Sequence, residues 1–155
     1  MKKTIIMTII AAWIGTTPAL VASESIGEAA DIKQDKAFMK KMPGKILFNK
    51  NIDGYTVYFY VMKAEPGMEM GGSHDFMIKV ETDGAPIKRL IARSKVIHPD
   101  GKSEKKMMMM MGYWYMSGFD LGHEGQHQLM ATFKTADGKT HSGSMYYPKA
   151  TKSSK

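Results

Sequence analysis

The residues of this chain best suited to chemistry are its methionines and histidines: it has 16 Met, five His and no Cys. Three stretches concentrate them. The first is Glu65-Pro66-Gly67-Met68-Glu69-Met70-Gly71-Gly72-Ser73-His74, a loop in which Pro-Gly and Gly-Gly bracket a Met-x-Met pair, with His74 four residues on. In an extended segment residues i and i+2 project to the same side, so Met68 and Met70 can converge on one point. Thioether plus imidazole suits Cu(I), whereas a Cu(II) state would favour the histidine. The plainer alternative is that these methionines cover the open end of a sandwich.

The second stretch, His123-Glu124-Gly125-Gln126-His127, matches H-E-x-x-H. In a zinc protease that motif works because both histidines leave one face of a helix with the glutamate beside them as base. Here Gly122 and Gly125 flank and interrupt it, and the residues after it alternate as a strand. No glutamate follows Glu124, and the glycine position of the longer form holds Met130. A turn leading into a strand is expected, with His123 and His127 as imidazole donors at a strand end that His74 can share. A zinc hydrolase is the distant alternative.

The third stretch is Met107-Met108-Met109-Met110-Met111 followed by Gly112-Tyr113-Trp114-Tyr115-Met116. As one uninterrupted strand it would place Met107, Met109 and Met111 on a face with Tyr113 and Tyr115. Met108 and Met110 would share the other face with Trp114 and Met116. One face must join the core, so at most half the run is free. Met108 and Met110 join Met68, Met70, His74, His123 and His127 as candidate metal ligands. Exposed methionines also form adaptable protein-contact surfaces, so docking of a periplasmic or membrane protein partner through a Met-aromatic face is the alternative function. His98, before a turn, and His141, in the last strand, read as ordinary hydrogen-bonding residues.

No Ser-His-Asp order, phosphate-binding glycine loop or cysteine site is present, so nothing argues for an enzyme. The formal charge is +7, carried by scattered lysines without an Arg-rich stripe, which gives no basis for nucleic-acid binding.

The elements that must position these residues begin after a leader. Lys2-Lys3, the apolar run Thr4 to Ile14 and the small residues up to Ala22 read as a secretory signal peptide over 1–22, with Ala19 as the alternative cleavage point. The apolar run is too short for a stable span, so no transmembrane segment is expected once it is removed, and the periplasm is the expected destination. Without cysteine the exported chain has no disulfides and must be held by its core.

Residues 23–44 read as a short helix or arm, stopped by Pro43-Gly44. Residues 45–148 read as one all-β domain and 149–155 as a frayed tail. Asp-Gly pairs at 53–54, 83–84, 100–101 and 137–138 each stand beside a strand-like run, as tight antiparallel turns require. Tyr55 to Met62 is aromatic and β-branched on both faces. His74 to Glu81 alternates, with Phe76, Ile78 and Val80 inward and Asp75, Lys79 and Glu81 outward. Further runs follow at Leu90 to His98, Lys105 to Met116, His127 to Thr135 and Lys139 to Tyr147. Six or seven short strands without a long amphipathic helix predict an antiparallel sandwich of the immunoglobulin-like kind.

The order Pro-Gly-Met-x-Met-Gly-Gly-x-His, then Met77-Ile78-Lys79-Val80 with Asp83-Gly84-x-Pro86-Ile87, then Pro99-Asp100-Gly101 and Gly125-Gln126-His127-Gln128-Leu129, resembles the YtkA-like and CopC-like exported β-sandwich proteins. The resemblance spans roughly Gly54 to Tyr147. It implies an immunoglobulin-like sandwich in the cell envelope and copper handling by Met and His. His127 stands where a Gly-x-Tyr corner would carry tyrosine. The mature start near Ser23 lacks the N-terminal histidine with which CopC-like proteins hold Cu(II). Together these features predict an exported copper protein, favouring Cu(I), for storage, delivery or tolerance.

Overall fold

The computed structural model describes residues 48–67 and 69–148. The expected leader, the arm over 23–44 and the tail 149–155 lie outside the described residues, as does Met68. Ten strands follow one another: β1 (Phe48–Ile52), β2 (Tyr55–Lys63), β3 (His74–Thr82), β4 (Ala85–Pro86), β5 (Ile91–Ile97), β6 (Ser103–Met107), β7 (Met109–Met111), β8 (Trp114–Phe119), β9 (His127–Lys134) and β10 (Thr140–Tyr147). One sheet has the order β1-β2-β3-β8-β7 with β4 beside β3, and the other has the order β10-β9-β5-β6. Every pairing is antiparallel. This is the all-β sandwich the sequence predicts.

The strands outnumber the six or seven expected for local reasons. β1 reads FNKNI with four of five residues exposed, so it carries no alternation to detect. It forms because Asp53 (φ 51°) and Gly54 (φ 90°) make a two-residue turn joining Ile52 to Tyr55. Asp83 (φ 51°) and Gly84 (φ 77°) do the same for the two-residue β4. Positive φ at both central positions matches the twist of a hairpin and favours Asp-Gly. The Asp100 and Asp137 turns are longer. In each the aspartate accepts from the backbone N–H two residues on, Lys102 at 3.0 Å and Lys139 at 3.2 Å.

The core between the sheets is built from Val57, Phe59, Phe76, Ile78 and Val80 on one side and Ala92, Val96, Leu129, Ala131 and Phe133 on the other. The outer face of the first sheet is apolar as well: Tyr60, Met77, Trp114 and Met116 are buried there, flanked by Tyr58, Met62, Met70 and Met111. Asp75 shares this outer side, as alternation predicts, but it is buried at 3 % exposure.

The methionine run is not one strand. The chain leaves the second sheet after Met107 and enters the first at Met109, and Met108 makes the crossing. Its N–H donates to the Ala92 carbonyl at 3.0 Å and its side chain joins the core. A two-residue turn at Gly112 (φ 62°) and Tyr113 then folds β7 back on β8, pairing Met109 with Met116 and Met111 with Trp114. Paired residues share a face, so Met109 and Met111 stand with Trp114 and Met116, the reverse of what an uninterrupted strand requires.

Candidate metal centre

The second sheet brings two histidines together by register. β5 pairs with β9 so that Val96 faces Leu129, and two residues further toward the end of the sheet stand His98 and His127. Both continue the inward sides of their strands, Ala92-Ser94-Val96 and Leu129-Ala131-Phe133, and both are buried. Their Nδ1 atoms lie 3.0 Å apart with the rings nearly perpendicular at 85°. The third histidine comes from the loop between β8 and β9. Gly125 (φ 101°) lets this loop lie on Pro99, where an added Cβ would meet the ring carbon at 2.8 Å. That approach brings exposed His123 to 5.5 Å from His98 and 6.1 Å from His127, ring centre to ring centre.

One nitrogen from each ring lies within 4.8 Å of the others. His127 Nε2–H donates to the His123 carbonyl at 3.4 Å, leaving its Nδ1 lone pair directed at His98. The other nitrogen of His98 faces the Glu104 carboxylate at 3.1 Å. Both His98 nitrogens therefore meet acceptors, and a proton on each, or a metal ion in place of one, satisfies the arrangement. A donor spacing of 3.0 Å suits two ligands about 2.0–2.1 Å from one ion at a near-right angle. Pro99, Glu104 and Glu124 line the cleft over the cluster, which exposed His123 opens to solvent. Three imidazoles form a nitrogen donor set of the kind that late divalent metals take, with the Glu104 carboxylate against the outer nitrogen of His98.

A fourth histidine stands at the same end. His74 Nδ1 donates to Ser73 Oγ at 2.9 Å, because the Ser73 hydroxyl hydrogen is given to Asp120 at 2.8 Å. That hydroxyl holds the Asp120 carboxyl below its ordinary range, and Asp120 lies 4.0 Å from His123 Nε2. Burial, foremost, depresses both His74 and His127 below the ordinary histidine value, and neighbouring positive groups add to it. Both are thus neutral in the folded protein where the unfolded chain already takes up protons. Their contribution to stability is full above pH 6.5, the ordinary value, and is lost as pH falls through the depressed folded values. Melting temperatures of the metal-free protein are expected to drop between about pH 7 and pH 5 by more than in a His74→Gln variant.

Of the sequence-predicted ligands, His123 and His127 are brought together. Met70 and His74 are not. The two-residue period of β3 turns His74 inward toward the Tyr147 ring, 5.6 Å away, while Met70 packs on the outer face of the same sheet. Met108 is buried in the core at the crossing between β6 and β7, and Met110 is exposed on the edge strand β7. His123 and His127 occupy loop and strand, so the H-E-x-x-H match has no helical face to act from. Sequence reasoning passed over His98 and Glu104 as ligands. The register of the Leu90 to His98 run was ambiguous in sequence, since Ile91 and Ile97 stand on the parity opposite to Ala92 and Val96, and only the pairing of β5 with β9 shows what His98 faces.

No protein-family model and no curated protein matches the chain. Two solved structures are similar, both of FetP from uropathogenic Escherichia coli strain F11. One is a copper-bound glutamate-to-glutamine variant, with TM-score 0.54 and 10 % identity, covering 64 % of this chain and 92 % of that one. The other is the protein as isolated after recombinant expression in the periplasm, with TM-score 0.53 and 10 % identity, covering 64 % and 90 %. At that identity the likeness is one of fold: this chain has the β-sandwich architecture of FetP.

Proposed function

We propose that this chain is an exported protein of the cell envelope that binds copper at His98, His123 and His127, with Glu104 against the outer nitrogen of His98, for storage, delivery or tolerance and without catalytic turnover. The convergence of the three imidazoles carries the reading. Its fold likeness to a protein with a copper-bound structure agrees with it, as do the leader's export pattern and the sequence resemblance to YtkA-like and CopC-like proteins. Imidazole donors favour Cu(II) at this cleft. Among divalent first-row ions copper has the highest affinity for such sets. The test is titration of the purified protein with Cu(II), followed by paramagnetic resonance. One equivalent showing hyperfine coupling to two or three nitrogens supports the proposal. A spectrum of free copper, or of backbone-amide coordination only, sinks it.

A second reading rests on one observation, the exposure of Met107, Met109 and Met110 along one edge of the sandwich. These side chains would contact a periplasmic or membrane protein that receives the metal. Changing Met109 and Met110 to serine is then expected to slow copper transfer to such a partner without altering the affinity of the cleft. Equal transfer rates would remove this reading.

A further inference from the structure

The outer face of the first sheet holds a second donor set that the histidine cleft does not use. Asp75 is buried there, and its Oδ1 has no hydrogen-bond partner. Met62 stands directly across from it on β2, and Gly118 across from it on β8. Met77 is two residues along the same strand and pairs with Met116, so all these side chains share one face.

Met70 is laid over this group by two glycines. A Cβ on Gly118 would stand 2.5 Å from the Met70 carbonyl carbon, and one on Gly72 would stand 2.2 Å from that of Phe119. The close approach is fixed by the Gly118 N–H donating to the Met70 carbonyl at 3.2 Å. The nearby lysines are engaged elsewhere: Lys79 lies 2.8 Å from Glu81 and over the rings of Tyr58 and Trp114, and Lys106 donates to the Gly71 and Gly118 carbonyls. The face thus presents a carboxylate oxygen without a proton donor among half-buried and buried thioethers. A buried carboxylate with one oxygen unpartnered is costly, and what would offset that cost here is a cation that accepts sulfur ligands.

We propose that Asp75 and the thioethers of Met62, Met70 and Met116 form a second metal site, selective for a soft monovalent ion, Cu(I) or its redox-silent counterpart Ag(I). A hard divalent ion would find a single carboxylate among soft thioethers, which it takes poorly. The imidazole cleft on the second sheet is chemically distinct, and this site stands whether or not that cleft loads. Burial raises the Asp75 carboxyl above its ordinary range, against the opposing hydrogen bond from the Met70 backbone.

The experiment is a titration of the full chain, labelled at the methionine methyl carbons, with Ag(I) in competition with a chelator. The methyl signals of Met62, Met70 and Met116 are expected to move at one equivalent. Asp75→Asn, and Met70→Leu with Met116→Leu, should each weaken Ag(I) binding by roughly 10- to 100-fold, the scale of losses when metal-supporting groups are removed. Met→Leu conserves core volume, so folding is expected to survive. His98→Ala with His123→Ala should leave Ag(I) binding unchanged. Methyl shifts confined to exposed Met107, Met109 and Met110, unchanged affinity in the Asp75 and methionine variants, or loss of Ag(I) only in the histidine variant would each overturn the proposal.

Discussion

Trp114→Ala is expected to destabilise this protein by about 3–5 kcal/mol, the range for truncating a fully buried tryptophan. Trp114 is at 0 % exposure and heads the largest fully buried side chains. Its ring lies 6.3 Å from that of Tyr60 in an edge-on arrangement and packs with Met77 and Met116. Small domains hold only about 5–15 kcal/mol in total, so such a loss would leave a measurable unfolded population at ambient temperature. Urea denaturation followed by circular dichroism should show the midpoint falling with little change in slope. Trp114→Phe, which keeps an aromatic ring in the cluster, should cost clearly less. A loss of under about 1 kcal/mol for the alanine variant would mean that the outer cluster contributes little to stability.

The second large effect is on metal binding. His98→Ala combined with His123→Ala is expected to lower Cu(II) affinity by at least roughly 10- to 100-fold while leaving the strands intact. His127 is deliberately kept, because it is fully buried and its removal would open a cavity under the cleft. His123 is exposed and His98 lines the cleft wall, so their loss removes two donors while His127 stays as the floor. Competition against a chelator of known affinity measures the change, and amide spectra of the variant report whether the sheets persist. Retained affinity in a folded variant would show that copper, if bound, sits elsewhere.

Much of this architecture was legible in the residues. The Asp-Gly pairs marked their turns for two reasons: at 53–54 and 83–84 positive φ at both central positions is a local demand that few residue types meet, and at 100–101 and 137–138 the aspartate side chain holds the turn. The inward sides of β3 and β9 were visible in Phe76, Ile78 and Val80 and in Leu129, Ala131 and Phe133, where alternation is uninterrupted. What local pattern could not supply was which strand lies beside which. His98 and His127 are 29 residues apart, and their meeting depends on the β5–β9 register alone. Met70 and His74 are four residues apart, yet the sheet separates them, because the intervening loop delivers one to each face. The methionine run misled in a third way. Five identical side chains carry no parity mark of their own, so the crossing at Met108 could not be seen in them.

That crossing and the opposite edge of the sandwich are fastened by different means. At one edge the polypeptide itself passes from sheet to sheet through Met108. At the other, β1 and β10 are held by His141, whose Nδ1 meets Asp53 Oδ2 at 2.7 Å and whose Nε2 meets Thr135 Oγ1 at 3.2 Å, with Ile52 seated where Gly143 has no side chain. The two sheets therefore have a covalent spine and a non-covalent clasp. Thermal opening should begin at the clasp, and native-state hydrogen exchange should find the amides of β1 and β10 exchanging ahead of those of β8 and β5. Because the histidine cleft and the Met70 loop both lie close to the spine side, through Glu104 on β6 and Gly118 on β8, the two proposed metal sites would keep their geometry while the far edge breathes.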